Sequence, residues 1–357
     1  MTYPALLISQ AAHQTPSADN SQPWKLEWQE NTLIASYDQN RAGLCTFPAD
    51  SHAMLLTMGA LSENLTQAAS GLNVDVDFDW NPAFNYSNPV YFQARISSSE
   101  FVNPTKFKEL PLFKRQTNRH AYQSKPLSSD ALEVIKNLKQ DDLRILVIEE
   151  NAQIKLIAHL VRSASEVRFQ IREVHEWLAK SFRFATKPED PHGEGLDINT
   201  IDLPPGGGLF LRLISNWQRM RWLNKLGMYK VMAMIDSHPV SKAPALIAII
   251  GPDSYKDTLT AGQLMNRAWI ALNEQGIAVH PYYVIPDQLQ RKKENKIPEH
   301  LINQVNKISE QTVELFGLRE GEILHMLFRT GYPSLKPVKS KRLPLSSVCS
   351  GIKIEEF

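Results

Sequence analysis

The sequence predicts an α+β fold in which mostly antiparallel sheets are packed by helices. Three observations predict it. Short alternating runs, Trp24-Lys25-Leu26-Glu27-Trp28 and Thr32 to Tyr37, follow each other closely enough to pair as a hairpin. Longer runs, roughly Asp50 to Ser70 and Thr258 to Gln275, carry apolar residues on one helical stripe. A unit of helix, glycine stop and strand then occurs twice: Gly59-Ala60, Asn64 and Gly71-Leu72-Asn73-Val74 resemble Gly262-Gln263, Asn266 and Gly276-Ile277-Ala278-Val279. Two homologous lobes would produce such a repeat, and so would any two amphipathic helices that end in glycine.

The elements follow in order. Residues 4–14 share Leu6, Leu7, Ala11 and Ala12 on one face and stop at Pro16. The hairpin comes next, then the long helix from Asp50, with Gly71 as its stop. Val74 to Trp80 and Val90 to Ile96 alternate as strands. A second part begins near Leu110. Ser128 or Ser129 caps a helix to about Lys139, Leu143 to Ile148 is a buried strand, and Ala152 to about Phe182 is helical. Residues 186–208, rich in Pro, Gly and Asp, form a long loop of the kind that is often functional. Leu209 to Met234 is apolar but interrupted by Arg212, Arg219, Arg221, Lys225 and Lys230, so it reads as an amphipathic helix pair or a lid rather than a membrane span. Strands at Ala245 to Ile250, Ala278 to Val284 and Glu322 to Phe328 and helices from Thr258 to Gln275 and Pro298 to Leu315 complete the chain, ahead of an extended basic tail from Pro333 to Pro344.

Composition narrows the function classes. With 357 residues, 43% of them apolar and 22% charged, the chain reads as an ordinary globular protein with a core of its own. A net charge of +1 offers no surplus for phosphate-backbone binding, so nucleic acid is excluded as a default partner, and no membrane partner is expected. Cys45 and Cys349 fit neither a zinc knot nor a redox pair, and two lone thiols suit a reducing cytoplasm. The start, MTYPALLISQAAHQ, carries no signal-peptide pattern. The ten histidines are scattered without a His-Glu-x-x-His, so no metal is expected. Gly206-Gly207-Gly208 lacks the Lys-Ser/Thr of a phosphate loop, and no Gly-x-Ser-x-Gly elbow occurs.

Four segments carry the chemistry. Pro16-Ser17-Ala18-Asp19-Asn20-Ser21-Gln22-Pro23-Trp24 offers a hydroxyl and an amide in a proline-bounded turn ahead of a strand. Arg115-Gln116-Thr117-Asn118-Arg119 places two guanidiniums and a hydroxyl at alternate positions, which in an extended segment face one way. Arginine stays charged and presents forked donors suited to an anionic ligand; flanked by Lys114 and His120, the same residues also read as a solvated basic loop. Gly276 to Tyr283 runs from a helix stop into an aromatic strand end, Pro281-Tyr282-Tyr283, with His280 either facing a ligand or satisfied in the core. Lys339-Ser340-Lys341-Arg342 is a basic run that is either solvated or closes on an anion.

In this order the four segments resemble the nitroreductase family. Pro-Ser-x-x-Asn-x-Gln-Pro-Trp is close to a signature of that family, and the Arg-x-Thr-x-Arg element stands for its Arg-x-Ser-x-Arg element. Here both lie in one chain, and each part lacks what the other supplies, so the chain resembles the two-lobed, single-chain, Acg-like branch. The resemblance implies one complete FMN site per chain and lobes at 1–108 and 109–357, with a possible lid at 186–234. It implies that Arg115, Thr117, Arg119 and Arg342, with Lys341 second to Arg342 in the tail, hold the phosphate and the N1/O2 edge. Pro16, Ser17 and Asn20 then touch the ring from the other lobe, and Pro281, Tyr282 and Tyr283 lie beside it, with a backbone N–H of Tyr282 or Tyr283 toward N5. Tyr283 stands where the family often has an acidic or small residue. The implied activity is hydride transfer from NAD(P)H to the flavin and on to a nitroaromatic, quinone or similar acceptor, with no acid or base from the protein, in a monomer or homodimer. An FMN-binding storage protein with little turnover is the alternative.

Overall fold

The computed structural model describes residues 2–44, 47–97, 104–184 and 193–353. Cys45 and the first part of the long loop, 185–192, lie outside them. The chain runs through α1 (Thr2–His13), β1 (Trp24–Gln29), β2 (Thr32–Tyr37), α2 (His52–Leu72), β3 (Val76–Trp80), β4 (Val90–Ile96), α3 (Pro104–Lys108), α4 (Ser129–Asn137) and β5 (Arg144–Ile148). It continues through α5 (Asn151–Arg168), α6 (Arg172–Ser181), β6 (Phe182–Arg183), β7 (Leu196–Asp197), α7 (Gly207–Ile214), α8 (Trp217–Lys225), α9 (Met228–Ser241) and β8 (Ala245–Pro252). The last elements are α10 (Tyr255–Glu274), β9 (Ala278–Tyr282), α11 (Val284–Lys293), α12 (Ile302–Phe316), β10 (Glu322–Gly331) and β11 (Cys349–Ser350).

The fold is α+β. One sheet has the order β11-β1-β2-β4-β3 and the other β5-β8-β10-β9; a two-strand parallel pair joins β6 to β7. All pairings in the two larger sheets are antiparallel except β1 with β11, where Leu26 faces Cys349. The alternation read in the hairpin is real: Trp24, Leu26 and Trp28 are buried, and the register runs Trp24 to Tyr37 through Gln29 to Thr32. β8 is buried along nearly its whole length, as a continuous apolar run in a central strand requires. The C-terminal strand β11 belongs to the sheet of residues 24–96, so the chain end crosses back over the first part of the molecule.

The two sheets meet through α2 and α10. A Cβ added to Gly59 would collide with the Leu259 carbonyl oxygen, and one on Gly262 with the Leu56 carbonyl oxygen, so the glycines are where the backbones touch. Beside them Asn266 Nδ2 donates to Ala60 O (3.0 Å) and Asn64 Oδ1 (2.8 Å), and Asn64 Nδ2 donates to Ala11 O (3.1 Å). Arg267 clamps Glu63 at 2.6 Å. The repeated glycines and asparagines are thus the contact residues of one helix crossing.

Several boundaries differ from the sequence reading. α2 runs past Gly71 and stops at Asn73, whose φ of 55° forms the left-handed cap; Gly71 is small because Leu110 packs against it. The helix read over 152–182 breaks at 169–171, where Phe169 and Ile171 are both buried around Gln170. The strand expected to reach Val284 ends at Tyr282 and a helix follows, because Pro286 sits in the first turn, where its missing N–H costs nothing. Ser128, not Ser129, caps α4, its hydroxyl accepting from Ala131 N. Residues 207–241 form three helices rather than a pair, with Gly227 at φ 88° turning the last corner.

Because the contact at Gly59 is backbone on backbone, Gly59→Ala must push α2 and α10 apart. The expected loss is about 1–3 kcal/mol of unfolding free energy. Urea melts of the two proteins with coincident midpoints would contradict that account of the crossing.

Candidate functional site

Ten of the eleven site residues named from sequence line one cavity of about 480 Å³: Pro16, Ser17, Asn20, Arg115, Thr117, Arg119, Pro281, Tyr282, Tyr283 and Arg342. Lys341 does not line it. Lys339 and Ser340, its neighbours in the tail, do.

The cationic end is built around one carbonyl. Arg115 and Arg342 each donate an Nη2–H to Gln14 O, both at 3.1 Å. Gln14 follows the last turn of α1, where carbonyls lack helical partners. The Arg115 guanidinium also lies 4.5 Å from the centre of the Trp269 ring. Burial and the Arg342 charge lower Arg115 to about 9, and burial lowers Arg342 to about 10. Lys339, more open to solvent, donates to Phe113 O at 3.1 Å; partial burial and both arginines push its ammonium down. No carboxylate among the described residues pairs with any of the three. Arg115 Nε and Arg342 Nη1 are buried without a hydrogen-bond partner among the described residues. Three like charges held together in this way are a place for an anion.

The segment 115–119 lies extended against β9 and α10. Gln116 N donates to Asn273 Oδ1 (2.8 Å), Trp269 Nε1 to Gln116 O (3.2 Å) and Asn118 N to Val279 O (3.0 Å). Asn118 is buried away from the cavity, while Arg115, Thr117 and Arg119 line it, as the alternation requires. Arg119 donates to Thr200 O at 3.4 Å; burial lowers its pKa and Asp19 raises it.

The Pro16–Trp24 turn is a brace. Ser17 Oγ accepts from Gln22 N at 3.0 Å. Asn20 Nδ2 donates to Lys341 O at 3.0 Å and to Gly193 O and Gly195 O at 3.3 Å. Gln22 closes the frame, donating to Gly193 O (2.8 Å) and accepting from Leu343 N (3.1 Å). Asp19, Asn20 and Gln22 all have φ between 48° and 56°, a strained backbone that the surrounding bonds hold. The amides therefore fix the tail on both sides of Arg342.

The other end is aromatic and neutral. Tyr283 forms a wall, its hydroxyl 2.8 Å from His52 Nδ1; His52 Nε2 is 3.0 Å from His325 Nδ1, and His325 Nε2 is 3.1 Å from Pro252 O. A carbonyl only accepts, so His325 Nε2 carries the hydrogen. With both rings neutral, His52 Nε2–H donates to His325 and the Tyr283 O–H donates to His52. Burial lowers His52 well below the usual imidazole range, with His325 and Lys293 adding to it, and burial takes His325 to about 4. His280 lines the cavity with Nδ1 lacking a partner, so it is not the satisfied core histidine of the bland reading; burial, Arg329 and Arg119 hold it neutral. The same cavity has an apolar lining, here called the chamber, from Phe169, Leu178, Phe182, Leu211, Ile214 and Met220. Among the described residues no group of His, Cys, Asp or Glu is arranged to hold a metal.

Gln14 and Trp269 were not singled out from the sequence, since one acts through its carbonyl and the other looks like any buried apolar helix residue. Lys339 was within reach, as part of the basic run.

No family model matches the chain. An uncharacterized protein of Mycobacterium tuberculosis, MT1398, is 21% identical over 282 residues, covering 77% of this chain and 38% of the relative. The chain thus spans about two fifths of the length of the curated relative it matches. Among solved structures, the FMN-dependent nitroreductase NfnB of Mycobacterium smegmatis in complex with NADPH is 13% identical, covers 71% of this chain and 100% of that one, and superposes with a TM-score of 0.40. A nitroreductase with bound FMN from Bacteroides fragilis is 13% identical, with 69% and 97% covered and a TM-score of 0.35. Oxidized iodotyrosine deiodinase bound to FMN and 3-iodo-L-tyrosine is 15% identical, with 69% and 98% covered and a TM-score of 0.35.

The buried neutral histidines set a pH dependence. His13, which contacts Leu343 O at 2.9 Å, is lowered to about 4 by burial. Below pH 6.5 the unfolded chain takes up protons that folded His13 and His325 refuse, so stability falls between 6.5 and 4, by about 1.4 kcal/mol per pH unit for each. Thermal midpoints should drop steadily from pH 7 to pH 5, a range in which ordinary carboxylates stay ionised. A flat profile there would contradict the burial of these rings.

Proposed function

We propose that this cavity binds FMN and that the protein is an FMN-dependent oxidoreductase of the nitroreductase type, assembled from lobes at 1–108 and 109–357. The observation that carries the reading is the pair Arg115 and Arg342 on the Gln14 carbonyl, with Lys339 beside them and no carboxylate partner among the described residues. The residues fit the group. A ribityl phosphate supplies the missing negative charge, and the two unpartnered guanidinium nitrogens mark donors that the protein leaves unspent. A volume of about 480 Å³ is in the range of cofactor pockets.

In this reading Arg115 and Arg342 hold the phosphate. Thr117 and Arg119 are directed to the polar edge of the ring, and Pro16, Ser17 and Asn20 close the site from the other lobe. FMN, when bound, supplies hydride acceptance from NAD(P)H and hydride delivery to an electron-poor acceptor such as a nitroaromatic or quinone. Pro281, Tyr282 and Tyr283 set the wall beside the ring, and Tyr283 narrows the acceptor side because its hydroxyl is fixed by His52. The apolar chamber keeps water away from the reacting face. A second reading, an FMN store with little turnover, draws on the same chamber, since residues of α5 to α9 wall the cavity and would crowd a second ligand there.

Arg115→Ala and Arg342→Ala should each raise the FMN dissociation constant about tenfold or more, as a lost charge-assisted hydrogen bond of about 1.5–3 kcal/mol implies. Flavin absorbance of the purified variants measures it, and undiminished occupancy in both would contradict the assignment. Stopped-flow mixing with NADH and with NADPH separates the two readings: the oxidoreductase bleaches, the store keeps its colour.

A further inference from the structure

α7, α8 and α9 turn an apolar face outward. Leu209 is 75% exposed, Leu226 71%, Trp222 61% and Ile235 55%, with Leu213 and Val231 near half. Seven of the fourteen exposed large apolar side chains among the described residues lie between 209 and 235. Exposed apolar residues are ordinary when scattered; a concentration on consecutive, packed helices marks a surface that meets something.

The same helices are basic. Between Asp202 and Asp236 stand Arg212, Arg219, Arg221, Lys225 and Lys230 and no acidic residue. All five are exposed, and none pairs with a carboxylate among the described residues. A chain of net charge +1 thus concentrates five cations and no acidic residue between 203 and 235. The charge decides against a second copy of this chain, since a two-fold interface would set five cations against five. The occupant is acidic. The apolar pattern decides which kind: Trp222 in α8 and Leu226 at its C-terminal cap are four apart, each preceded by a cation, Arg221 and Lys225. Long cationic stems reach outward while indole and leucyl groups go down, the arrangement of helices that lie in a lipid interface. Ile235 adds a separate fact. It is exposed and also lines the chamber, so the apolar exterior is continuous with the apolar interior there.

We infer that the α7–α9 face docks the protein on an anionic lipid surface, lying in the headgroup region. It does not cross: among the described residues no helix is long and apolar enough to do so. Such docking departs from the expectation of no membrane partner only in adding a peripheral contact, and it stands whether or not the cavity takes FMN.

The test is sedimentation of the full chain with vesicles, which reads neither flavin nor turnover. The protein should pellet with phosphatidylcholine vesicles containing phosphatidylglycerol, stay in solution with phosphatidylcholine alone, and be released by salt. The double variants Trp222→Glu/Leu226→Glu and Arg221→Glu/Lys225→Glu should each weaken partitioning about tenfold or more, with unchanged thermal midpoints because all four side chains are exposed. No pelleting with the anionic vesicles would overturn the inference. So would pelleting that survives Trp222→Glu/Leu226→Glu, a dimer that this variant dissociates, or binding to polyglutamate as tight as to the vesicles.

Discussion

Everything in the site depends on one carbonyl oxygen receiving two cations. Gln14 O lies just past the end of α1, and Arg115 and Arg342 reach it from segments more than 200 residues apart in the chain. Burial lowers both guanidiniums, and the Arg342 charge lowers Arg115 further. Such a cluster survives only if the surrounding structure holds it. Trp269 faces one arginine. The Asn20 and Gln22 amides fix the tail on both sides of the other. The strain at Asp19, Asn20 and Gln22 sits in the turn that makes this frame. The site is therefore built at the cost of local stability, and an anion that neutralises it returns some of that stability.

The crossing of α2 and α10 makes the rest possible. Gly59 and Gly262 let two long helices touch backbone to backbone, and at the same level Asn266 donates to Asn64 and to the Ala60 carbonyl while Asn64 donates to the Ala11 carbonyl. Trp269 lies one turn further along α10 and faces Arg115, and the end of that helix delivers the chain through Gly276 into β9 and the wall at Pro281 to Tyr283. Packing at the crossing and geometry at the cavity are thus one problem solved on one helix.

Much of this was legible in the residues. Alternation gave the strands because half-buried sheets need a period of two. It also gave the facing of Arg115, Thr117 and Arg119, because a segment docked along β9 keeps that period. Less legible was anything set by tertiary contact. Gly71 looks like a helix stop but is a packing site for Leu110, and Asn73 does the capping. Lys341 and Lys339 are equivalent in a basic run until the fold places Lys339 on the cavity and ties the Lys341 carbonyl to Asn20. Gln14 contributes only a main-chain atom, which no side-chain pattern reveals. Asn20 was read as a ligand contact and is also a brace, since an amide in a turn serves either use.

The most direct measurement compares the affinity of the flavin-free protein for FMN with its affinity for riboflavin, which differs by the phosphate alone. If Arg115, Arg342 and Lys339 form an anion site, FMN binds more tightly by a factor on the order of 100 or more, the equivalent of two charge-assisted hydrogen bonds. Equal affinities, or binding of neither, would contradict the account.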